Sequence, residues 1–282
     1  MTKDYILKTS DNYDIRITTY FTDDRISSNC LIFVHGFKGF KDWGFVPYLG
    51  DYFSEKGFLV VTFNFSHNGV SGNSTEFTEM NKFASNTVSR EIDELLTIID
   101  FCKNKFFLDI KLQKIGLIGH SRGGGVGLIA STVSKDIDAV TVWSSIAFFD
   151  RYSDRQKKEW RKNGYFEILN SRTNQIMRLN STLLDDIENN KNDKFNLKKA
   201  VSALRKPLLI IHGEQDLTVP VNEAGLLYDW SDKSLTEFYK LNSAGHTFDI
   251  QHPFSGSNEK FDRILELTES FFSRCLIEEF YN

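Results

Sequence analysis

Five short stretches of the chain are apolar at nearly every position: Cys30 to Val34, Phe58 to Phe63, Ile115 to Ile118, Ala139 to Trp143 and Leu208 to Ile211. Each is bounded by Gly, Asn, Ser or His. A strand with one wet face alternates apolar and polar residues, so runs apolar on both faces belong to parallel strands covered on both sides. Segments with helical spacing lie between or after them: Val46 to Glu55, Asn81 to Phe107, Arg122 to Ser134, Val221 to Trp230 and Glu259 to Ile277. Strand followed by helix, repeated with right-handed crossovers, predicts an α/β chain with a doubly wound, mainly parallel sheet. The first twenty residues alternate at period two around Asp11-Asn12, which predicts an antiparallel N-terminal hairpin from about Tyr5 to Tyr20.

One stretch breaks the rhythm. Residues 146–205 hold no apolar strand run and are dense in charge, so they read as a small helical cap inserted into a core made of residues 1–145 and 206–282. Residues 150–200 contain 12 Lys+Arg and 8 Asp+Glu, a charge of +4; with −4 for the whole chain, the remainder carries −8. Insertions at the carboxyl ends of such sheets commonly cover a site. The cap aromatics, Phe148, Phe149, Trp160, Tyr165 and Phe166 among them, are expected either to line a pocket or to glue the cap together, and its positive excess suggests a preference for substrates bearing a carboxylate.

The mild acidity, with a sequence pI near 5.9, offers no general attraction to nucleic acid. Three widely spaced cysteines, Cys30, Cys102 and Cys275, make neither a disulfide framework nor a zinc site, which favours a reducing compartment. The N-terminus lacks the 7–15-residue apolar run of a signal peptide, and no stretch has the ~18 apolar residues of a membrane span. The expectation is a cytoplasmic protein with no membrane or nucleic-acid partner.

The chemistry is concentrated in Gly119-His120-Ser121-Arg122-Gly123, which follows the strand KIGLI and opens the helical run RGGGVGLIAST. G-x-S-x-G in that setting puts a serine on a sharp strand-to-helix turn with its hydroxyl out of the sheet, and glycines on either side avoid a clash. A serine hydroxyl is a weak nucleophile, so a base and an orienting acid are needed. After the strand PLLIIHG comes Glu214-Gln215-Asp216-Leu217-Thr218-Val219-Pro220; after LTEFYKLN comes Ser243-Ala244-Gly245-His246. His246 is the candidate base, with His252 in reserve. Asp216 is favoured as the acid over Glu214, and the run after Trp143 offers no carboxylate before Asp150. His35, His120 and His212 end strands and read as structural, while His67 sits in the loop NFSHNGVSGNS on the nucleophile side.

The turn His35-Gly36-Phe37-Lys38-Gly39 after CLIFV can supply one backbone amide to an oxyanion from Phe37, with Arg122 supplying the other. Gly125 to Ala130 matches G-x-G-x-x-A but falls inside a helix, where no pyrophosphate can sit. No Walker motif, HExxH or Cys/His cluster points to a nucleotide or a metal, so no cofactor is expected.

Taken in order, HGFKG, GHSRGG, HGEQDLTVP and AGH resemble the α/β-hydrolase superfamily from about Leu31 to the C-terminus, apart from the insertion. The HGFKGFKDWG start, the short insertion and the GHS-x-GG elbow are similar to feruloyl or cinnamoyl esterase-like serine hydrolases, with prolyl-oligopeptidase-type domains and acylglycerol lipases as neighbours. That resemblance implies the α/β-hydrolase fold, a triad of Ser121, His246 and Asp216, an oxyanion hole from the Phe37 and Arg122 amides, and a cap that selects the acyl or alcohol group. Two departures bear on substrate: Arg122 stands where those esterases carry Gln, and NFSHNGVSGNS matches their glycine-rich loop only loosely.

The expected function is a carboxylesterase acting on small to medium esters, cinnamoyl-type acyl groups included, as small-molecule substrates. A serine peptidase-like hydrolase is the first alternative, although a peptidase normally needs a further domain to restrict access, for which 282 residues leave no room. The same residues are also compatible with an acylglycerol lipase-like hydrolase or with a catalytically silent α/β-hydrolase scaffold.

Overall fold

A computed structural model describes residues 1–22, 29–72, 75–104 and 112–277. An eight-stranded sheet is ordered β1-β2-β4-β3-β5-β6-β9-β10, formed by β1 (Thr2–Lys8), β2 (Asp14–Tyr20), β3 (Asn29–Val34), β4 (Leu59–Asn64), β5 (Lys114–His120), β6 (Ala139–Trp143), β9 (Leu208–Gly213) and β10 (Thr236–Leu241). β1 and β2 pair antiparallel, β2 joins β4 antiparallel, and every pairing from β4 across to β10 is parallel.

Alternate residues of one strand feed different cores. Cys30, Ile32 and Val34 of β3 face α3 (Val88–Asn104) and α4 (Arg122–Val133); Leu31 and Phe33 face α1 (Val46–Glu55) and α9 (Glu259–Phe272). This two-sided burial is the reason the strands are apolar throughout. The stretch expected as one helix from Asn81 divides into α2 (Met80–Ala84) and α3, because Ser85, Asn86 and Thr87 turn the chain and the Asn86 amide donates to Glu91 Oε1 at 2.7 Å; its expected end at residues 105–107 lies outside the described residues. The C-terminal helix ends in a π-turn at Ser273–Ile277.

Between β6 and β9 the chain forms α5 (Asp154–Asn163), β7 (Tyr165–Asn170), β8 (Gln175–Asn180), α6 (Ser181–Asn190) and α7 (Leu197–Ala203). The antiparallel hairpin β7-β8 corrects the expectation of a stretch without strands. Its signal is the alternation of half-buried Phe166 and Ile168 with exposed Glu167 and Leu169, and of buried Met177 and Leu179 with exposed Ile176 and Arg178. A search for runs apolar on both faces passes over such strands. The cap aromatics mostly pack on one another: Trp160 is fully buried, stacked on Phe166 at 5.4 Å with Tyr152 edge-on at 5.0 Å, while the Tyr165 ring carries the Arg178 guanidinium at 4.3 Å. Among the described residues no helix is long and apolar enough to cross a membrane.

Trp160 is the residue on which the cap packs, so Trp160→Ala should destabilise the protein by about 3–5 kcal/mol, the usual range for emptying a buried aromatic site. Urea unfolding checks this; a loss below about 1 kcal/mol would show that the cap does not depend on this ring.

Candidate active site

The parallel strands deliver their carboxyl ends to one edge of the sheet, and the loops that leave that edge carry the chemistry. Ser121 follows β5 at the N-cap of α4 with φ 56° and ψ −121°, a left-handed backbone that a β-carbon disfavours. The elbow closes because its neighbours lack side chains. A β-carbon on Gly119 would stand 2.6 Å from the Gly124 α-carbon, and one on Gly123 would strike the Val34 carbonyl. The strained residue is pinned at both ends: its amide donates to the Trp143 carbonyl at 2.9 Å, and its carbonyl accepts from the Gly124 amide at 3.0 Å.

His246, on the loop after β10, brings Nε2 to 3.0 Å from Ser121 Oγ and Nδ1 to 2.7 Å from Asp216 Oδ2. Asp216, after β9, has a side chain with no exposure, and its Oδ1 accepts from the Thr218 and Val219 amides at 2.8 Å each. Burial pushes its carboxyl upward, but hydrogen bonds from His212, His246 and the Val219 amide outweigh this and hold it well below the usual carboxylate range. Asp216 is therefore an anion at neutral pH. Glu214 is exposed and outside this chain, and Asp150 pairs with Lys157 and Lys191.

The other histidines have other partners, although His212 Nε2 also lies 3.3 Å from Asp216 Oδ2. His120 donates Nε2–H to the His246 carbonyl at 3.0 Å, His212 donates to the Val219 carbonyl at 2.8 Å, and His35 donates Nδ1–H to the Gly36 carbonyl at 2.9 Å. His120 and His212 each fasten a loop to a strand end, while His35 braces the turn that follows it. His67 lies beside the Ser66 hydroxyl at 2.7 Å, and His252, the reserve base, accepts the Gly44 amide at 2.9 Å and packs on Phe40 and Trp43.

Phe37 lies on the turn after β3, where a β-carbon on Gly36 would sit 2.9 Å from Ser121 Cβ. The Arg122 amide is at the first helical position and has no intrahelical acceptor; the Phe37 amide donates to no described residue. The Arg122 side chain turns away, forming an ion pair with buried Glu91 of α3 and laying its guanidinium 4.4 Å from the centre of the Phe37 ring. Sequence reasoning misses this clamp; its only local signals are an arginine beside an elbow serine and an acid in the first turn of the preceding helix.

Ser121 borders two cavities. The larger, about 490 Å³, is walled by Phe37, Phe40, Trp43, Phe45 and Val46 and by Ile168, Asn170, Ser171 and Arg172 of the cap hairpin. The smaller, about 120 Å³, lies among Ile146, Phe149, Tyr152, Ile187 and Val219. Of Phe148, Phe149, Trp160, Tyr165 and Phe166, it is Phe149 that reaches a cavity wall beside the serine, and the hairpin closes the larger cavity.

A serine on a strand-to-helix elbow, bonded to a histidine and an aspartate from later strand ends of a mainly parallel sheet, defines an α/β hydrolase. The chain belongs to the prolyl oligopeptidase family, whose sequence profile matches residues 46–277. A candidate esterase/lipase 2 of Mycoplasma genitalium is 24% identical over 264 residues, covering 86% of this chain and 90% of that protein. Among solved structures, the α/β hydrolase GrgF from Penicillium sp. sh18 has a TM-score of 0.75 at 16% identity over 99% of this chain and 100% of that one. Est1E from Butyrivibrio proteoclasticus with ferulic acid bound has a TM-score of 0.72 at 16% identity, covering 97% and 100%. These structural likenesses speak to the fold.

Removing Glu91 would leave the Arg122 guanidinium buried without its counter-charge, so Glu91→Ala should cost about 3–5 kcal/mol in urea unfolding. Glu91→Gln, which keeps a hydrogen-bond acceptor, should cost less.

Burial, the largest cause in each case, lowers His35 to about 4 and His120 to about 3. Both stay neutral in the fold, whereas unfolded imidazoles take protons below about pH 6.5. The unfolded chain then binds more protons, so stability should be flat above about pH 7 and fall as the pH drops from about 6.5 towards 4. Urea midpoints at about pH 7.5 and 5.5 measure the effect, and His120→Gln should make the difference smaller.

Proposed function

We propose that this hydrolase is a serine carboxylesterase for esters of small to medium size, working through an acyl-enzyme. The observation that carries the reading is the continuous chain Ser121 Oγ to His246 to buried Asp216, with steps of 3.0 and 2.7 Å. His246 Nε2 accepts the hydroxyl proton as Ser121 Oγ bonds to the ester carbonyl carbon. Asp216 fixes the tautomer that carries the proton on Nδ1 and stabilises the imidazolium that forms. The Phe37 and Arg122 amides are the donors for the carbonyl oxygen as it becomes an oxyanion. When the carbon–oxygen ester bond breaks, the imidazolium returns the proton to the departing alcohol. Water then attacks the acyl-enzyme, giving its proton to His246, and the acid leaves as Ser121 recovers its hydroxyl.

The two cavities support a substrate divided at Ser121 into a small and a larger part, and the aromatic walls of the larger one suit an aryl or cinnamoyl-type group. The similar fold of a protein that binds ferulic acid supports the same substrate class.

Ser121→Ala and His246→Ala should each lower kcat/KM for p-nitrophenyl acetate by roughly 10⁴-fold or more, and the double variant should be little worse than either. Additive losses would contradict a shared proton transfer. Asp216→Asn should cost up to roughly 10⁴-fold, and Glu214→Gln far less. Fluorophosphonate labelling gives the direct test: a native protein that leaves Ser121 unlabelled is not a serine hydrolase.

A further inference from the structure

The larger cavity beside Ser121 contains two cations and no carboxylate. Lys38, half-buried on the turn after β3, and Arg172, exposed on the β7-β8 turn, both line it. Neither has an acid within ion-pair distance among the described residues. The contrast with their neighbours is sharp: Lys41 is paired with Asp42, Arg122 with Glu91 and Arg151 with Glu223, while Lys157 and Lys191 share Asp150. Of the cap's cations, Arg172 is the one that lines this cavity.

The Lys38 backbone and the Arg172 side chain are both constrained. Lys38 has φ 58°, a left-handed backbone unusual for a residue with a β-carbon, within the same turn that places Phe37. The Arg172 guanidinium lies 5.6 Å from the Phe40 ring centre and 5.9 Å from that of Phe77, and its amide donates to Asn170 Oδ1 at 3.3 Å. Asn170 is itself buried, and its Nδ2 has no hydrogen-bond partner among the described residues. Burial and the Arg172 charge both lower the Lys38 ammonium; burial lowers Arg172, with the Glu76 charge opposing it. With no carboxylate in the cavity wall, the two cations repel each other there, and an anion between them would relieve that repulsion.

We propose that Lys38 and Arg172 form an anion subsite that selects esters carrying a carboxylate on the part of the substrate that enters the larger cavity. The apolar walls take the body of that part, and the cations take its acidic end. The proposal deepens the esterase reading and rests on it for the turnover measurements.

Two substrate pairs place the acid on either side of the ester bond: monophenyl adipate against phenyl hexanoate, and 4-carboxybenzyl acetate against benzyl acetate. In the wild type the anionic member should have the higher kcat/KM in one pair, and about 0.5 M NaCl should reduce that preference. Lys38→Met combined with Arg172→Met should lower the anionic-to-neutral ratio about tenfold, with folding verified by circular dichroism, and Arg172→Lys should retain most of it. A wild type that prefers the neutral ester in both pairs, or a ratio that the double variant leaves unchanged, overturns the proposal. Calorimetric titration of Ser121→Ala with the same esters separates the subsite from the chemistry. Tighter binding of the anionic ester, lost on Lys38→Met/Arg172→Met, supports the subsite even if the wild type hydrolyses nothing; equal binding of both members of each pair removes it.

Discussion

The site depends on one backbone conformation. A serine at φ 56° costs of order 1–3 kcal/mol relative to relaxed backbone and persists only where the surroundings over-determine it. Here they do so from several directions. The Ser121 amide is fixed by the Trp143 carbonyl at the end of β6, and its carbonyl by the Gly124 amide in the first turn of α4. Trp143 is in turn fully buried, with its indole nitrogen donating to Thr268 of α9 at 3.1 Å. Strain at Ser121 is therefore borne by the sheet and by helices on both of its faces, and the hydroxyl points where a flexible loop could not hold it.

A second constraint is electrostatic and divides one residue type into two roles. His35, His120 and His212 are shut in the interior and each donates to a backbone carbonyl; His120 and His212 act as pins between loops and strands. His246 keeps a side-chain exposure of 19% and is the imidazole that lies between an anionic carboxylate and a hydroxyl. His120 joins the two sets, since the carbonyl it bonds is that of His246 itself. A loop histidine with a fixed carbonyl and a fixed Nδ1 has little freedom to rotate, which favours the near-attack geometry that general-base chemistry needs.

Much of this was legible in the residues. The sheet strands could be located because burial on both faces leaves a composition no exposed strand shares, and the elbow because Gly119 and Gly123 have no room for a β-carbon. His246 and Asp216 could be named because a serine needs partners from later strand ends. The cap hairpin was less visible. Its strands are exposed on one face and carry Glu167 and Arg178, so their alternation is short and mixed with charge. Nor could sequence alone show which aromatics would face a cavity, because Trp160 and Phe166 satisfy the same hydrophobic demand by stacking on each other. Long-range pairs such as Arg122 with Glu91 depend on how α3 packs against α4, and no local pattern encodes that.

That ion pair gives the Arg122 side chain a place of its own beside the elbow. In the proposed mechanism the group offered to a developing oxyanion is the backbone amide, which is indifferent to the side chain attached to it. The side chain is then free to serve the scaffold. It spans from Glu91 on α3 to the ring of Phe37, whose amide is the other candidate donor, and so ties together the two turns that must stay in register across Ser121. A buried ion pair contributes little to net stability because desolvation offsets much of the attraction, but it is unforgiving of misalignment. At this position that property is useful, since a shift of the Phe37 turn relative to α4 would separate the guanidinium from the ring it covers or from its carboxylate. The two turns are therefore held together by a charged clamp as well as by backbone contacts.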